Sequence, residues 1–126
     1  MVEGQNQQSR NDKATEFQGG TVHLVDSTNA LADDATTITS NESLTTVDDD
    51  WTITHDNTAG TTTLENANAL DYGETGSFTI AQVVVESPST TGNFLIDDDP
   101  SGDLDLSGDG TFTIEEGNLT YTLGGE

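Results

Sequence analysis

The sequence predicts a small all-β domain, an antiparallel β-sandwich or small barrel with a short N-terminal arm or helix. Three observations predict it. Short segments with period-2 apolar alternation recur from Thr21 to Leu123. Clusters of Asp, Asn, Gly and Ser separate them at the spacing of a sandwich or barrel. The segments are rich in Thr and Val, which suit a pleated, half-buried surface. The chain has 126 residues, which is one domain's worth and room for one modest core.

The elements follow in order. Residues 1–20 are a polar arm and residues 21–126 the β-domain. Within the arm, Ser9 to Phe17 fits a short helix capped by Ser9 or Asn11 and stopped by Gly19-Gly20. The alternative is an extended arm ordered only by a partner. Thr21–Val25 reads as a strand, Asp26–Asn29 as a turn, and Ala30–Thr37 as a short helix or loop. Ser43–Val47 and Trp51–His55 are strands separated by Asp48-Asp49-Asp50, with Trp51 and Ile53 on one face. The turn Asp56–Gly60 leads to a strand over Thr61–Glu65. Phe78–Glu86 is the longest apolar strand, and its valines place it centrally in a sheet. Pro88–Gly92 is a loop. Strands follow at Asn93–Ile96, around Leu104 and Leu106, at Thr111–Ile114 and at Leu119–Leu123, with Glu116-Gly117-Asn118 as a tight hairpin between the last two.

Charge narrows the classes of function. The chain carries 24 acidic residues against two cations, Arg10 and Lys13, for a net charge of −22. Low hydrophobicity with high charge is the usual signature of disorder. Here the acids are dispersed among alternating strands, which disordered chains lack. A folded domain so charged repels itself in dilute buffer, and ~1 M salt shortens the Debye length enough to remove most of that repulsion. The composition therefore points to a halophilic setting, with a DNA mimic that binds basic partners as the rarer alternative. Phosphate contacts need Lys and Arg, so nucleic acid is excluded as a partner, and anionic membrane surfaces are excluded likewise. There is no cysteine, hence no disulfide and no thiolate metal site. No apolar run reaches membrane-spanning length, and the N-terminal MVEGQNQQSRNDK has no apolar signal core, so that, if Met1 is native, a protein made and kept in the cytoplasm until assembly or lysis is expected.

The second half carries a recognisable order of motifs. Asn66-Ala67-Asn68-Ala69-Leu70-Asp71-Tyr72-Gly73 is followed by Gly76-Ser77-Phe78-Thr79-Ile80-Ala81-Gln82-Val83-Val84-Val85. Then come Thr91-Gly92-Asn93-Phe94-Leu95, Ser107-Gly108-Asp109-Gly110-Thr111-Phe112 and Gly117-Asn118-Leu119-Thr120-Tyr121-Thr122-Leu123. This order resembles a family of small tailed-phage structural proteins, the head-decoration or tail-fibre-like proteins. Gln18-Gly19-Gly20-Thr21 also matches the family's helix that ends in Gly-Gly before the first strand. The resemblance is dense after Asn66 and loose before it. It implies a virion structural protein, head decoration, turret or tail-associated, from a virus of a halophilic host. Such a protein would assemble as a homo-oligomer, a trimer or pentamer, with capsid or tail proteins. The family has no catalytic residues to carry over. The alternative is a secreted halophilic surface or filament domain of adhesin or pilin type.

Candidate site residues are few. Asp97, Asp99, Ser101, Gly102 and Asp105 fit positions 1, 3, 5, 6 and 9 of a calcium loop, and Asp103 adds a carboxylate. Position 12 is Gly108 rather than Glu, so the motif is broken. The loop is a candidate Ca²⁺ or Mg²⁺ site or a solvated turn, and no other cofactor is required. Asp48-Asp49-Asp50 lacks the spacing to converge on an ion. His23 and His55 stand without a nucleophile elbow, so neither suggests catalysis and no enzyme is expected. Arg10, Lys13 and Phe17 of the arm are candidate interface residues, docking on a capsid or neighbouring subunit. Trp51 is a core residue by its alternation or an interface anchor by its type. Asn41-Glu42-Ser43 and Asn118-Leu119-Thr120 are glycosylation sequons, relevant only to a secreted protein.

Overall fold

The computed structural model describes residues 6–74, 77–97, 105–107 and 111–124. Helix α1 (Gln7–Phe17) is capped by Asn6, whose side chain accepts the Ser9 N–H at 2.9 Å. The cap thus lies ahead of Ser9 and Asn11, because Asn6 is the residue with extended backbone before the first turn. One stripe of the helix is buried, Arg10, Ala14 and Phe17 at spacings of four and three. The chain leaves α1 through Gln18, Gly19 and Gly20. Any side chain at Gly20 would run into the carbonyl oxygens of Phe17 and Glu86, so the helix end and the sheet meet over a glycine.

Eleven strands follow among the described residues: β1 (Thr21–Val25), β2 (Glu42–Thr45), β3 (Trp51–Asp56), β4 (Thr61–Asn66), β5 (Leu70–Glu74), β6 (Ser77–Thr79), β7 (Gln82–Glu86), β8 (Phe94–Asp97), β9 (Asp105–Ser107), β10 (Thr111–Ile114) and β11 (Thr120–Gly124). All pairings are antiparallel. One sheet has the order β2-β1-β7-β8 and another β11-β4-β3, and two ladders pair β10 with β5 and β6 with β9. Among the described residues the strands close no barrel, so the fold is of sandwich type.

The core lies between the four-stranded sheet and the rest. Val22 and Leu24 of β1 and Val83 and Val85 of β7 point one way, into a cluster with Phe17, Trp51, Leu64 and Tyr121. Their neighbours Val25 and Val84 on the opposite face are also wholly buried. The loop between β1 and β2 is tied over that face, where Gln82 accepts the Leu31 N–H at 2.7 Å and donates to the Leu31 carbonyl at 3.1 Å. A second tie joins Asp26 and Asn41 through side chain and backbone. Burial on both faces of β1 and β7 matches the central position expected from the valine run.

Three expectations are corrected. Phe78–Glu86 is not one strand. The chain breaks at Ile80-Ala81, where the Ala81 N–H donates to the Val25 carbonyl, and passes from the β6–β9 ladder into the large sheet. Glu116-Gly117-Asn118 does not close a hairpin, because β10 pairs with β5 while β11 pairs with β4. It is a crossing between ladders, and strand alternation alone cannot tell the two apart. The strand β5 has no counterpart among the predicted elements. The predicted turn over Asp56–Gly60 is present, with the Asp56 carboxylate accepting the N–H groups of Thr58 and Ala59 at 3.1 and 3.0 Å.

Candidate functional site

The N-terminal helix supplies most of the residues expected at an interface. Arg10 is 3% exposed. Its Nε donates to Thr62 Oγ1 at 3.0 Å and its Nη2 to Asn57 Oδ1 at 3.1 Å. Asn57 in turn donates to Gln7 Oε1 at 2.8 Å, so the β3–β4 turn is laced to the first turn of α1. Arg10 is therefore turned into the chain rather than offered to a partner surface. A guanidinium finds two neutral acceptors there in a fixed fork, which a solvent-facing arm would not need. Phe17 is 5% exposed and belongs to the core. Trp51 is likewise in the core, and its indole N–H donates to Thr46 Oγ1 at 2.8 Å. Only Lys13 of the four lies exposed on the surface.

Of the acidic loop, Asp99, Ser101, Gly102 and Asp103 fall outside the described residues. Asp97 closes β8 and Asp105 opens β9. Among the described residues no three metal-ligating side chains gather. Asp48–Asp50 forms a single 3₁₀ turn. The Asp50 carboxylate accepts the Val47 N–H at 3.0 Å and the Asn68 side chain at 3.1 Å, so it serves the local backbone.

Both histidines have polar partners. His55 Nδ1 lies 2.8 Å from Thr62 Oγ1, the hydroxyl that Arg10 also touches. Thr62 is wholly buried. His23 Nε2 lies 3.2 Å from Glu86 Oε1, and its Nδ1 is buried without a partner. Glu86 also accepts the Gly92 N–H at 3.1 Å, which fixes the β7–β8 connection. The Ser87 and Ser89 hydroxyls both donate to the Glu16 carboxylate, binding the last turn of α1 to the same connection. Those bonds, Ser87 first, hold the Glu16 carboxyl below its ordinary range.

Two buried phenols join the layers. Tyr72 donates to the Val22 carbonyl and Tyr121 to the Val83 carbonyl, each at 2.9 Å. Burial first, then the charges of Glu42 and Asp97 respectively, push both phenols far up. Neither tyrosine stood out in the sequence, and nor did Asn66, which is wholly buried. Its side chain accepts the Leu119 N–H at 3.0 Å and donates to the Glu115 carbonyl at 2.9 Å, holding the crossing from β10 to β11. The only sequence signal was its place at the head of the motif series.

Surface grooves lie among the described residues, two of them of similar size. One, of about 470 Å³, lies between α1 and β8, and its floor includes Phe17, Leu95 and Leu123. The other, of about 460 Å³, is lined by Val47, Asp48, Asp49 and Pro88. The chain matches no family model, no curated protein and no solved structure.

Proposed function

We propose that the protein is a non-enzymatic structural module of a virus particle, set on the head, vertex or tail of a tailed virus of a halophilic host. One observation carries this reading, the ordered motif series after Asn66, which resembles small tailed-phage structural proteins. Its residues have structural places in the fold. The motif glycines Gly92 and Gly117 take φ of 86° and 81°, values that only glycine adopts freely. Asn66, Tyr72 and Tyr121 hold strands and layers to one another. Polar chemistry is spent on holding the chain together, as a particle component requires.

The surface supports the salt-loving part of the reading. Asp12, Asp33, Asp34, Asp48, Asp49, Asp56, Asp71, Glu115 and Glu116 are all exposed, against an exposed Lys13. Their mutual repulsion falls as salt rises. Mass spectrometry of purified particles tests the proposal: the chain is expected in a fixed copy number consistent with particle symmetry, and absence from particles would end it.

The second reading, a secreted halophilic surface or filament domain, is favoured by one observation. Asn118 of the second sequon is exposed. Asn41 of the first is less suited, because its Nδ2 donates to Asp26 and a glycan there would break the loop tie. A glycan on Asn118 of the protein isolated from its host would favour this reading over the first.

A further inference from the structure

We propose that β3 is the pairing edge of a two-fold dimer, in which Ile53 of each copy exchanges backbone hydrogen bonds with Ile53 of the other and Thr52 faces Thr54. The inference rests on the oligomeric part of the reading above and not on the particle location.

Strand β3 ends the β11-β4-β3 sheet, and among the described residues it pairs only with β4. The chain on either side of it, Asp48–Asp50 and the turn Asp56–Gly60, lies wholly within the described residues. The Ala67 N–H donates to the Asp50 carbonyl at 2.7 Å, and the Asn66 N–H donates to the Leu119 carbonyl at 3.2 Å. Residues of an antiparallel strand alternate in the side to which their N–H and C=O point. Thr52, Thr54 and Asp56 therefore bond to β4, and Trp51, Ile53 and His55 turn theirs to the free edge. The Trp51 N–H is taken by the Asp48 carbonyl. Among the described residues no bond takes the N–H and C=O of Ile53 and His55 or the C=O of Trp51.

The edge also lacks the devices that keep sheet edges apart. Native edges are guarded by charge, proline or a bulge, or are covered. Trp51–His55 has neither charge nor proline, and its ladder with β4 runs without a register shift. The acids of the chain stop short of it at Asp50 and resume at Asp56. On the outer face of the sheet Thr52 and Thr54 are exposed. There Thr122, Thr63 and Thr54 form one row across the three strands.

A second copy offers the groups that this edge needs. Antiparallel pairing of β3 with itself about Ile53 sets Ile53 opposite Ile53, Trp51 opposite His55 and Thr52 opposite Thr54. Each pair joins residues of one sheet face, as the alternation of side chains requires. No other two-fold register brings as many of the outward groups together. Ile53 donates to its counterpart and accepts from it, and the His55 N–H of each copy reaches the Trp51 carbonyl of the other. Thr52 and Thr54 meet as a pair without backbone bonds, their Cβ atoms about 5 Å apart, and the threonine row continues into the second copy. A basic partner would find no carboxylate between Trp51 and His55. The same register brings Asp56 towards Asp50 of the other copy, and each copy carries −22, so association should need salt. This contact is two-fold, in contrast to the trimer or pentamer expected from the sequence.

The test is sedimentation of the full chain in about 0.1 M and about 3 M KCl. A monomer is expected in the first and a dimer in the second. Ile53→Pro removes an N–H that faces the second copy and none that faces β4, a place where an edge strand tolerates proline. It should weaken the dimer about tenfold or more, since both central bonds are lost. The chain has no cysteine. Thr52→Cys and Thr54→Cys chains, both changed at exposed positions, should therefore form a mixed disulfide when combined at the higher salt and little homodimer alone. That pair decides the matter if Ile53→Pro does not fold. A monomer at both salt concentrations, a trimer or pentamer, a dimer indifferent to Ile53→Pro, or homodimer disulfides as fast as the mixed one overturn the proposal. A monomer that is still found in purified particles overturns this contact and leaves the structural role standing. A dimer absent from particles does the reverse.

Discussion

The four-stranded sheet and the layer of α1 with β3, β4 and β11 are held by different chemistry. In the sheet, Val22, Leu24, Val25, Val84 and Val85 are wholly buried, and contact area does the work. The second layer gives Phe17, Trp51, Leu64 and Tyr121 to the same core but also buries Arg10, Thr62 and Asn66, so directional bonds are added there to contact area. A chain with few apolar residues cannot fill two layers with valine and leucine. It supplements the second with side-chain hydrogen bonds, which are weak in net terms but costly to leave half-made. The layers should therefore fail differently.

The largest expected effect comes from two phenols, Tyr121 of β11 and Tyr72 of β5, each bonded to a carbonyl of the four-stranded sheet. Tyr72 and Tyr121 have folded-state pKa values raised above the ordinary value near 10. Their contribution to stability is full below that value and is lost as pH rises above it. Phenolate absorbance and loss of β-sheet circular dichroism are expected to rise together, in one transition beginning above about pH 10. Phenolate appearing while the fold persists would mean that these phenols do not hold β5 and β11 to the sheet.

Next comes the apolar layer. Leu24→Ala should cost about 3 kcal/mol in denaturant unfolding at fixed high salt, as removal of a buried leucine side chain does. The polar layer should lose somewhat less at its best-connected point. Asn66→Ala strands the buried Leu119 N–H and should cost about 2 kcal/mol. Smaller still is Arg10→Met, which keeps the apolar stem and removes, among others, the bonds to Thr62 and Asn57. A loss of about 1–2 kcal/mol is expected, seen in faster amide exchange in α1 more than in the valine sheet. A cost for Arg10→Met as large as for Leu24→Ala would erase the distinction between the layers.

The same division sets what the sequence makes legible. The valine sheet announces itself, because Val83-Val84-Val85 and the alternation of β1 report burial through residue type. The helix is readable from Gly19-Gly20, but not its docking. A lone arginine in an acidic chain reads as a surface cation, and only the β3–β4 turn arriving with Thr62 and Asn57 makes it a buried donor. The crossing at Gly117 has the composition of a hairpin turn, and the choice is made by Asn66, some fifty residues away. Such pairings are non-local, and residue type carries no trace of them. The candidate ion loop rests on sequence alone, since its middle lies outside the described residues.

That α1 is a layer of the domain, and not an arm awaiting a partner, is tested most directly by native-state hydrogen exchange in about 3 M KCl. The amides of Ala14 and Phe17 are expected to be protected to within about tenfold of Leu64 in β4. Exchange of α1 at the open-chain rate, with β4 still protected, would contradict the account.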